Sequence, residues 1–197
     1  MLRSVVTKII SADRDVGATS PAGSPSSRKY RPRGGDLPVP RGELRPLVRL
    51  LRETGLRLGE ACNLRWGDVD WTAGVATLRK TKAGKTQYAP LSAETLAILR
   101  ALGPGEGAGP CFWRDGRPWT RGYVTHAFRD AVEDAAIADL HVHDLRHTFA
   151  CRRLRGGVDI YTVSKLLRHA SVIMSERYAH LSQTDLNAAV ERSREAQ

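Results

Sequence analysis

The stretch that decides the fold is residues 143–180, HDLRHTFACRRLRGGVDIYTVSKLLRHASVIMSERYAH. Its pattern is helical, with interruptions at Gly156–Gly157 and at residues 169–171. We therefore predict three helices near residues 143–156, 159–168 and 172–181. The first of these helices carries His143 and Arg146 three residues apart, which places both side chains on one face.

The rest of the chain adds more helices and a small sheet. Helical spacing predicts further helices over residues 41–54, 57–66, 92–102, 120–136 and 184–195. The segments VATLRKT (75–81) and KTQYAPL (85–91) flank the turn residues Lys82–Gly84, which predicts a β-hairpin. The stretch FWRDGRPW (112–119) predicts a short strand and a turn. The expected fold class is therefore mainly α with a small antiparallel β-sheet (α+β).

The charge of the chain points to a polyanionic partner. The 31 Lys and Arg residues outnumber the 21 Asp and Glu residues, and the formal net charge is +10. No fold requires such an excess, so nucleic acid is the first candidate partner and an anionic membrane surface the second. A basic soluble protein without such a partner is the remaining alternative. No apolar stretch approaches the length needed to span a membrane.

The cysteines and the first residues bear on the cellular compartment. Cys62, Cys111 and Cys151 are scattered and form no CxxC pair, which indicates neither a zinc knuckle nor a disulfide framework. We expect them to be small core side chains in a reducing cytoplasm. The apolar run in MLRSVVTKII is too short for a signal peptide.

Composition divides the chain into three segments. Residues 11–36 are rich in Ser, Pro, Gly and Arg, so we predict a flexible basic arm over residues 1–36. One folded domain is expected over residues 37–184. Residues 185–197 are expected to form a C-terminal helix or tail.

Four local patterns carry residues suited to phosphate chemistry. TGLRLGEACNLRW places Arg57 at the start of a helix, and RKTKAGKTQYAPL places Lys82 at the hairpin tip. HDLRHTFA carries His143 and Arg146. LLRHASVIMSERYAH carries His169 and then, nine positions later, Tyr178.

Together, and in this order, these patterns resemble the active site of the tyrosine recombinase and phage integrase family. The resemblance covers roughly residues 40 to 185. It implies a catalytic domain that cuts and rejoins DNA through a 3′-phosphotyrosine intermediate, without a metal or other cofactor. The catalytic set that it implies is Arg57, Lys82, His143, Arg146, His169 and Tyr178.

The chemistry explains why these residue types suit the reaction. Exchanging DNA strands without ATP requires that the energy of each broken phosphodiester be kept, and a covalent bond from phosphate to a tyrosine does this. With a reference pKa near 10, Tyr178 needs its proton drawn away before it attacks. Arg57 and Arg146 can grip the nonbridging oxygens with planar, paired hydrogen bonds.

The remaining members of the set would handle protons and orientation. The resemblance implies that Lys82 protonates the leaving 5′-oxygen, and His169 can donate a hydrogen bond to the phosphate. His143 is a reasonable general base or phosphate ligand. Glu60 is expected to support Arg57, and His147 to be a buried, hydrogen-bonded histidine beside Arg146.

Two residue assignments have alternatives. Because His143 and His147 are four residues apart on one helix, they could ligate zinc. Asp144 stands where a zinc protease needs Glu, and His141 and His147 lack a convincing further ligand. Lys82 lies close to Lys80 and Lys85, so the hairpin tip could instead contact DNA only, or Lys85 could be the catalytic lysine.

The chain departs from the family at Arg168, where family members usually have Gly before the second histidine. If this helix end needs a positive φ, the non-glycine residue costs about 1 kcal/mol. Family members generally carry an N-terminal domain that clamps DNA, and we expect residues 1–36 not to form it. We therefore expect weak DNA binding and poor synapsis by this chain alone.

These departures leave several functional alternatives open. A site-specific recombinase or integrase is the first interpretation. The alternatives are a weak or inactive DNA-binding remnant of an integrase, and a type IB topoisomerase-like enzyme. The implied partners are double-stranded DNA and a homo-tetramer formed at synapsis, with no membrane. The expected location is the cytoplasm, in association with the nucleoid.

Overall fold

The central element of the structure is the helix α1 (Arg41–Thr54). The structure is a computed structural model that describes residues 41–79, 86–103, 107–114, 116–169, 171 and 178. The apolar residues that predicted α1 are all buried: Leu44, Leu47, Val48, Leu50 and Leu51. The predicted bounds of this helix are confirmed, and its buried face forms the middle of the main core.

The second helix, α2 (Leu58–Cys62), is shorter than the predicted 57–66. After it the chain forms a 3-10 turn at Trp66–Asp68. The backbone N–H groups of Trp66 and Gly67 donate to the carbonyl oxygens of Gly109 and Gly107, at 3.0 and 2.6 Å. Pairing with this distant loop replaces the helical hydrogen bonds, which local spacing cannot predict.

A three-stranded antiparallel sheet follows, in the order β1 (Val69–Asp70), β2 (Val75–Leu78) and β3 (Gln87–Pro90). Thr77 pairs with Tyr88, so the predicted hairpin is confirmed and β1 is an addition to it. The tip of the hairpin, with Lys80, Lys82 and Lys85, lies outside the described residues.

The next helix, α3 (Ala93–Arg100), begins where the sequence predicts. The hydroxyl of Ser92 accepts a hydrogen bond from the N–H of Thr95, as an N-cap does. Beyond it, β4 (Trp113–Arg114) and β5 (Arg117–Pro118) pair as a short hairpin, which confirms the predicted strand and turn.

Three further helices complete the described fold: α4 (Arg121–Asp134), α5 (Val142–Arg155) and α6 (Ile160–Leu166). They match the predictions within a few residues and confirm the mainly helical α+β class. Helix α1 packs against α3, α4 and α5, and α5 packs against α6. The predicted helices at 172–181 and 184–195, the arm at 1–36 and the tail at 185–197 lie outside the described residues, Tyr178 excepted.

The core has two parts. The larger surrounds α1, the three-stranded sheet and α4. The smaller lies between α5 and α6 and includes Phe149, Leu154, Val163, Leu167 and Tyr178. In the described part of the chain, no helix is both long enough and apolar enough to cross a membrane.

Candidate active site

Arg146 joins three separate segments of the fold. Its side chain projects from α5 and is only 4% exposed. The guanidinium donates hydrogen bonds to the carbonyl oxygen of Gly55, between α1 and α2, and to that of Leu167, at the end of α6. Since a guanidinium carries five N–H donors in a rigid fork, these two bonds fix its orientation and leave further donor capacity.

The turn at Gly55 needs glycine for two reasons. Its φ is +61°, in the left-handed region that side chains rarely adopt. A Cβ at this position would lie 2.6 Å from Cδ1 of Phe149, which is too close. The turn therefore lets α5 approach α1 closely and points the Gly55 carbonyl toward Arg146.

Arg57 lies two residues after this turn, at the N-cap of α2. Its Nη1 is 2.8 Å from Oε1 of Glu60, and its Nη2 donates to the carbonyl oxygen of Arg168 at 3.2 Å. The Arg57 side chain remains 40% exposed. This guanidinium is therefore held in place while being more exposed than that of Arg146.

Arg168 occupies a left-handed position at the end of α6. Its φ is +56°, its N–H donates to the carbonyl of Lys165, and the N–H of His169 donates to the carbonyl of Ser164. These two bonds define a Schellman motif, whose left-handed residue is usually glycine. The positive φ that the sequence raised as a condition is therefore present, with a cost of about 1 kcal/mol.

The Arg168 guanidinium turns back into the site. Nη2 lies 3.1 Å from Oε2 of Glu60 and 3.3 Å from the carbonyl oxygen of Gly55, and Nη1 donates to the carbonyl of Leu166 at 2.7 Å. The residue is only 7% exposed. The residue that replaces glycine here therefore places its charge in a buried ion pair with Glu60. No sequence pattern indicated this ion pair, although the replacement of glycine marked position 168 as unusual.

Glu60 is the shared partner of two guanidiniums. Its carboxylate also accepts a hydrogen bond from the backbone N–H of Arg57 at 2.8 Å. Burial alone raises the pKa of Glu60, but the charges of Arg168 and Arg57 and the hydrogen bonds from Arg57 outweigh burial and lower the pKa. Glu60 therefore stays ionised, which fits the supporting role expected for it.

Positive charge is concentrated here. Arg57, Arg146 and Arg168 share one carboxylate, Glu60, so these four groups carry a net charge of +2 (three minus one). Burial, followed by repulsion from Arg57 and Arg168, lowers the pKa of Arg146 to about 10. Arg146 thus keeps its charge near neutral pH, and an arriving anion relieves the repulsion among the three cations.

Tyr178 lies beside this cluster. It is 5% exposed, and it interacts electrostatically with Arg146. Its hydroxyl is hydrogen-bonded to Nδ1 of His147, and the centroids of the two rings are 5.7 Å apart. The described structure therefore places the phenol of Tyr178 near a guanidinium and in contact with a histidine.

The other predicted residues lie around this centre. His143 is exposed on α5, and its ring meets that of His147 edge to face at 4.8 Å. His169 directly follows Arg168 and is half-buried. Lys82 lies outside the described residues. His147 is hydrogen-bonded beside Arg146 as expected. It is half-buried rather than buried, and the sequence did not identify Tyr178 as its partner.

The zinc alternative gains no support. Within residues 41–79, 86–103, 107–114, 116–169, 171 and 178, no three His, Cys, Asp or Glu side chains are grouped to hold a metal ion. Nδ1 of His147 is engaged by the Tyr178 hydroxyl instead. Cys62 and Cys111 are buried as expected, and burial raises their pKa values to about 11 and about 12. Cys151 was also expected in the core, but it is only half-buried.

Comparison with known proteins identifies the class to which this fold and site belong. The sequence model of the phage integrase family matches residues 41–185. The chain belongs to this family, as its motifs had indicated. It is 34% identical over 142 residues to tyrosine recombinase XerC of Xylella fastidiosa (strain 9a5c), covering 70% of this chain and 48% of that protein. It is 32% identical over 173 residues to the shufflon-specific DNA recombinase of Escherichia coli, covering 87% and 42%.

Solved structures agree with the family assignment. The catalytic domain of bacteriophage HP1 integrase is 29% identical, with a TM-score of 0.58, and the match covers 76% of this chain and 82% of that one. A crystal structure of XerA recombinase is 26% identical, with a TM-score of 0.59, covering 85% and 67%. The chain spans about half the length or less of these two curated relatives.

Proposed function

We propose that this chain is the catalytic domain of a site-specific DNA recombinase, in which Tyr178 attacks a backbone phosphate. The attack forms a bond from the phenolic oxygen to phosphorus and breaks the bond to the 5′-oxygen. The products are a 3′-phosphotyrosine and a free 5′-hydroxyl end. Family membership and the recombinase names of the relatives support this proposal.

The observation that carries the proposal is the position of Tyr178 next to the arginine cluster. The Tyr178 phenol interacts with Arg146, and Arg146 shares its site with Arg57 and Arg168. The scissile phosphate carries a negative charge that grows on its nonbridging oxygens during attack. Preorganised guanidiniums stabilise this charge, and losing one such donor typically costs about 3–4 kcal/mol of barrier.

The roles of the other residues follow as part of the proposal. Arg57 and Arg146 hold the phosphate, His143 and His169 bind it or shuttle protons, and Lys82 protonates the leaving 5′-oxygen. Double-stranded DNA is the substrate, four copies cooperate at synapsis, and the protein acts in the cytoplasm at the nucleoid. The net charge of +10 supports a DNA partner.

The test is covalent capture on DNA. The full chain is incubated at low salt with a pool of nicked suicide duplexes that carry a randomised segment, so that the short 5′-hydroxyl product diffuses away. A covalent protein–DNA adduct is expected, and sequencing its DNA identifies the preferred site. Tyr178→Phe should abolish the adduct, whereas Tyr161→Phe, at a half-exposed tyrosine on α6, should leave it unchanged.

Other outcomes favour the alternatives. An adduct that persists in Tyr178→Phe contradicts the proposal, and no adduct from the wild-type chain supports the DNA-binding remnant. Relaxation of supercoiled plasmid by the chain, without preference for any captured sequence, supports the topoisomerase-like activity.

A further inference from the structure

We propose that His147 is the general base that removes the proton from the Tyr178 phenol. This inference rests on the proposed function, because it assigns the origin of the phenolate that attacks phosphorus. It also assigns a catalytic role to a residue that the sequence indicated as a buried, hydrogen-bonded histidine or, alternatively, a zinc ligand.

The geometry of the contact carries the inference. A general base must lie within hydrogen-bond reach of the proton that it removes. Nδ1 of His147 is hydrogen-bonded to the hydroxyl oxygen of Tyr178, and the rings are inclined by 53°. With its own proton on Nε2, a neutral imidazole presents the Nδ1 lone pair to the phenolic hydrogen.

Neighbouring residues hold both His147 and Tyr178 in position for this contact. His147 directly follows Arg146 in α5, and Arg146 is fixed by two backbone carbonyl groups. Tyr178 is itself packed in the core between α5 and α6. His147, Tyr178 and Arg146, the proposed base, nucleophile and phosphate ligand, therefore lie close together around α5.

His143 is placed differently. It is exposed one turn away on the same helix, and its ring approaches the ring of His147 edge to face. The motif alone is compatible with His143 as either a general base or a phosphate ligand. With His147 on the phenol, the phosphate-ligand role suits His143, whose exposure leaves it accessible to DNA.

The charges nearby favour the same proton transfer. The phenolate that forms is negative, and Arg146 lies close enough to interact with it electrostatically. Since the reference pKa of tyrosine is about 10 and that of histidine about 6.5, the transfer is uphill in water. Positive charge beside the phenol favours the phenolate and so reduces the difference between the two pKa values. The bond that the phenolic oxygen forms to phosphorus then drives the proton transfer to completion.

The step balances without any further reactant. The proton of the phenol moves to Nδ1 of His147, and an electron pair of the phenolic oxygen forms the bond to phosphorus. The bond from phosphorus to the 5′-oxygen breaks, and that oxygen takes a proton from a separate donor, for which Lys82 is proposed. On rejoining, the 5′-hydroxyl attacks and the imidazolium returns its proton to the phenolic oxygen.

Two His147 variants test the inference on a DNA sequence captured by the wild-type chain. In His147→Asn the side-chain oxygen can still accept the phenol's hydrogen bond but cannot take the proton. The single-turnover rate of adduct formation is expected to fall about 100-fold or more. In His147→Ala, added imidazole should restore part of the rate in proportion to its concentration. Circular dichroism and thermal melting establish that each variant is folded.

A sulfur-substituted substrate shows whether His147 acts as a general base or as a general acid. In a 5′-bridging phosphorothiolate the leaving group is a thiolate, which departs without being protonated. The His147→Asn defect should persist on this substrate, because the phenol still has to lose its proton. A defect that disappears with sulfur would make His147 the proton donor to the leaving group and overturn the inference.

Three further outcomes also contradict the inference. An unchanged rate of adduct formation in His147→Asn would mean that the hydrogen bond only positions Tyr178. A faster rate in His147→Ala shows that the bond restrains Tyr178, and a folded His147→Ala that imidazole does not rescue removes the base role. Failure of the wild-type chain to form any adduct is different, because it contradicts the proposed function itself.

Discussion

Arg146 and Arg168 donate hydrogen bonds to the same acceptor, the carbonyl oxygen of Gly55. Two cations that repel each other are thereby held at one carbonyl oxygen, and the carboxylate of Glu60 pairs with Arg168. The site thus obtains its positive potential from buried guanidiniums oriented largely by the backbone. Such preorganised groups need little rearrangement when a phosphate arrives.

The first prediction concerns the turn that supplies this shared carbonyl. Gly55→Ala should destabilise the fold more than Gly157→Ala does. Both positions have positive φ, which costs about 1–2 kcal/mol in each variant. At Gly55 the added Cβ also collides with Phe149, whereas nothing lies within 4 Å of it at Gly157. The collision should add about 1–3 kcal/mol. Urea unfolding measures the difference, and equal losses would contradict the close packing at this turn.

The second prediction isolates the backbone cost at position 168. Arg168→Gly and Arg168→Ala both lose the ion pair with Glu60, but only glycine adopts φ near +56° without strain. Arg168→Gly should therefore be more stable than Arg168→Ala by about 1 kcal/mol. Chemical denaturation of the two variants measures this gap. An alanine variant as stable as the glycine variant would mean that residue 168 is not left-handed in solution.

The third prediction concerns pH and Glu60. Burial raises the pKa of its carboxyl, but Arg168 and Arg57 bring it below the ordinary value. A lowered folded-state pKa means that the stabilisation is fully present above the unfolded value of about 4.3 and is lost as pH falls through the folded pKa. Glu60→Gln should therefore be less stable than wild type at pH 7, and the gap should close below pH about 4.

Unfolding curves of both proteins, recorded from neutral pH down to the acid limit of the folded state, check this dependence. Glu94→Gln is the matched control, because Glu94 pairs with Arg49 while both side chains are largely exposed. A gap between wild type and Glu60→Gln that stays constant with pH would contradict ionisation of Glu60 in the folded state.

The fourth prediction concerns phosphate binding by Arg146. Arg146→Lys keeps the charge but loses the planar fork that holds two carbonyl groups and, in the proposed reaction, also the phosphate. The rate of covalent adduct formation should fall about 100- to 1,000-fold. Arg153→Lys is the control, since Arg153 is exposed on the same helix, over the ring of Phe149. Equal rates for wild type and folded Arg146→Lys would exclude a catalytic role of the guanidinium.

Much of the fold was predictable because its helices carry regular apolar spacing and clear ends. The bounds of α1 and the Ser92 cap of α3 follow from side-chain periodicity and local hydrogen bonding. The early end of α2 was not predictable, since Trp66 and Gly67 bond to a loop about forty residues away. Long-range backbone pairing of this kind leaves no local signal.

The site likewise combines residues that local motifs could predict with long-range contacts that they could not. The motifs that resemble the family drew attention to Arg57, Arg146 and Tyr178, and the structure brings Arg57 and Tyr178 within electrostatic reach of Arg146. The contact between His147 and Tyr178 joins residues 31 positions apart in the chain. The pair of Arg168 with Glu60 spans 108 positions. Sequence spacing could indicate neither contact, although the missing glycine marked position 168 as unusual.

The most direct measurement of the central claim is mass spectrometry of the covalent adduct after digestion with nuclease and trypsin. We predict a nucleotide attached through phosphate to Tyr178, in the tryptic peptide that begins at this residue. Tyr88 and Tyr161, which are more exposed, should carry none. A nucleotide on either of those tyrosines, or on a histidine or serine with Tyr178 unmodified, would contradict the account.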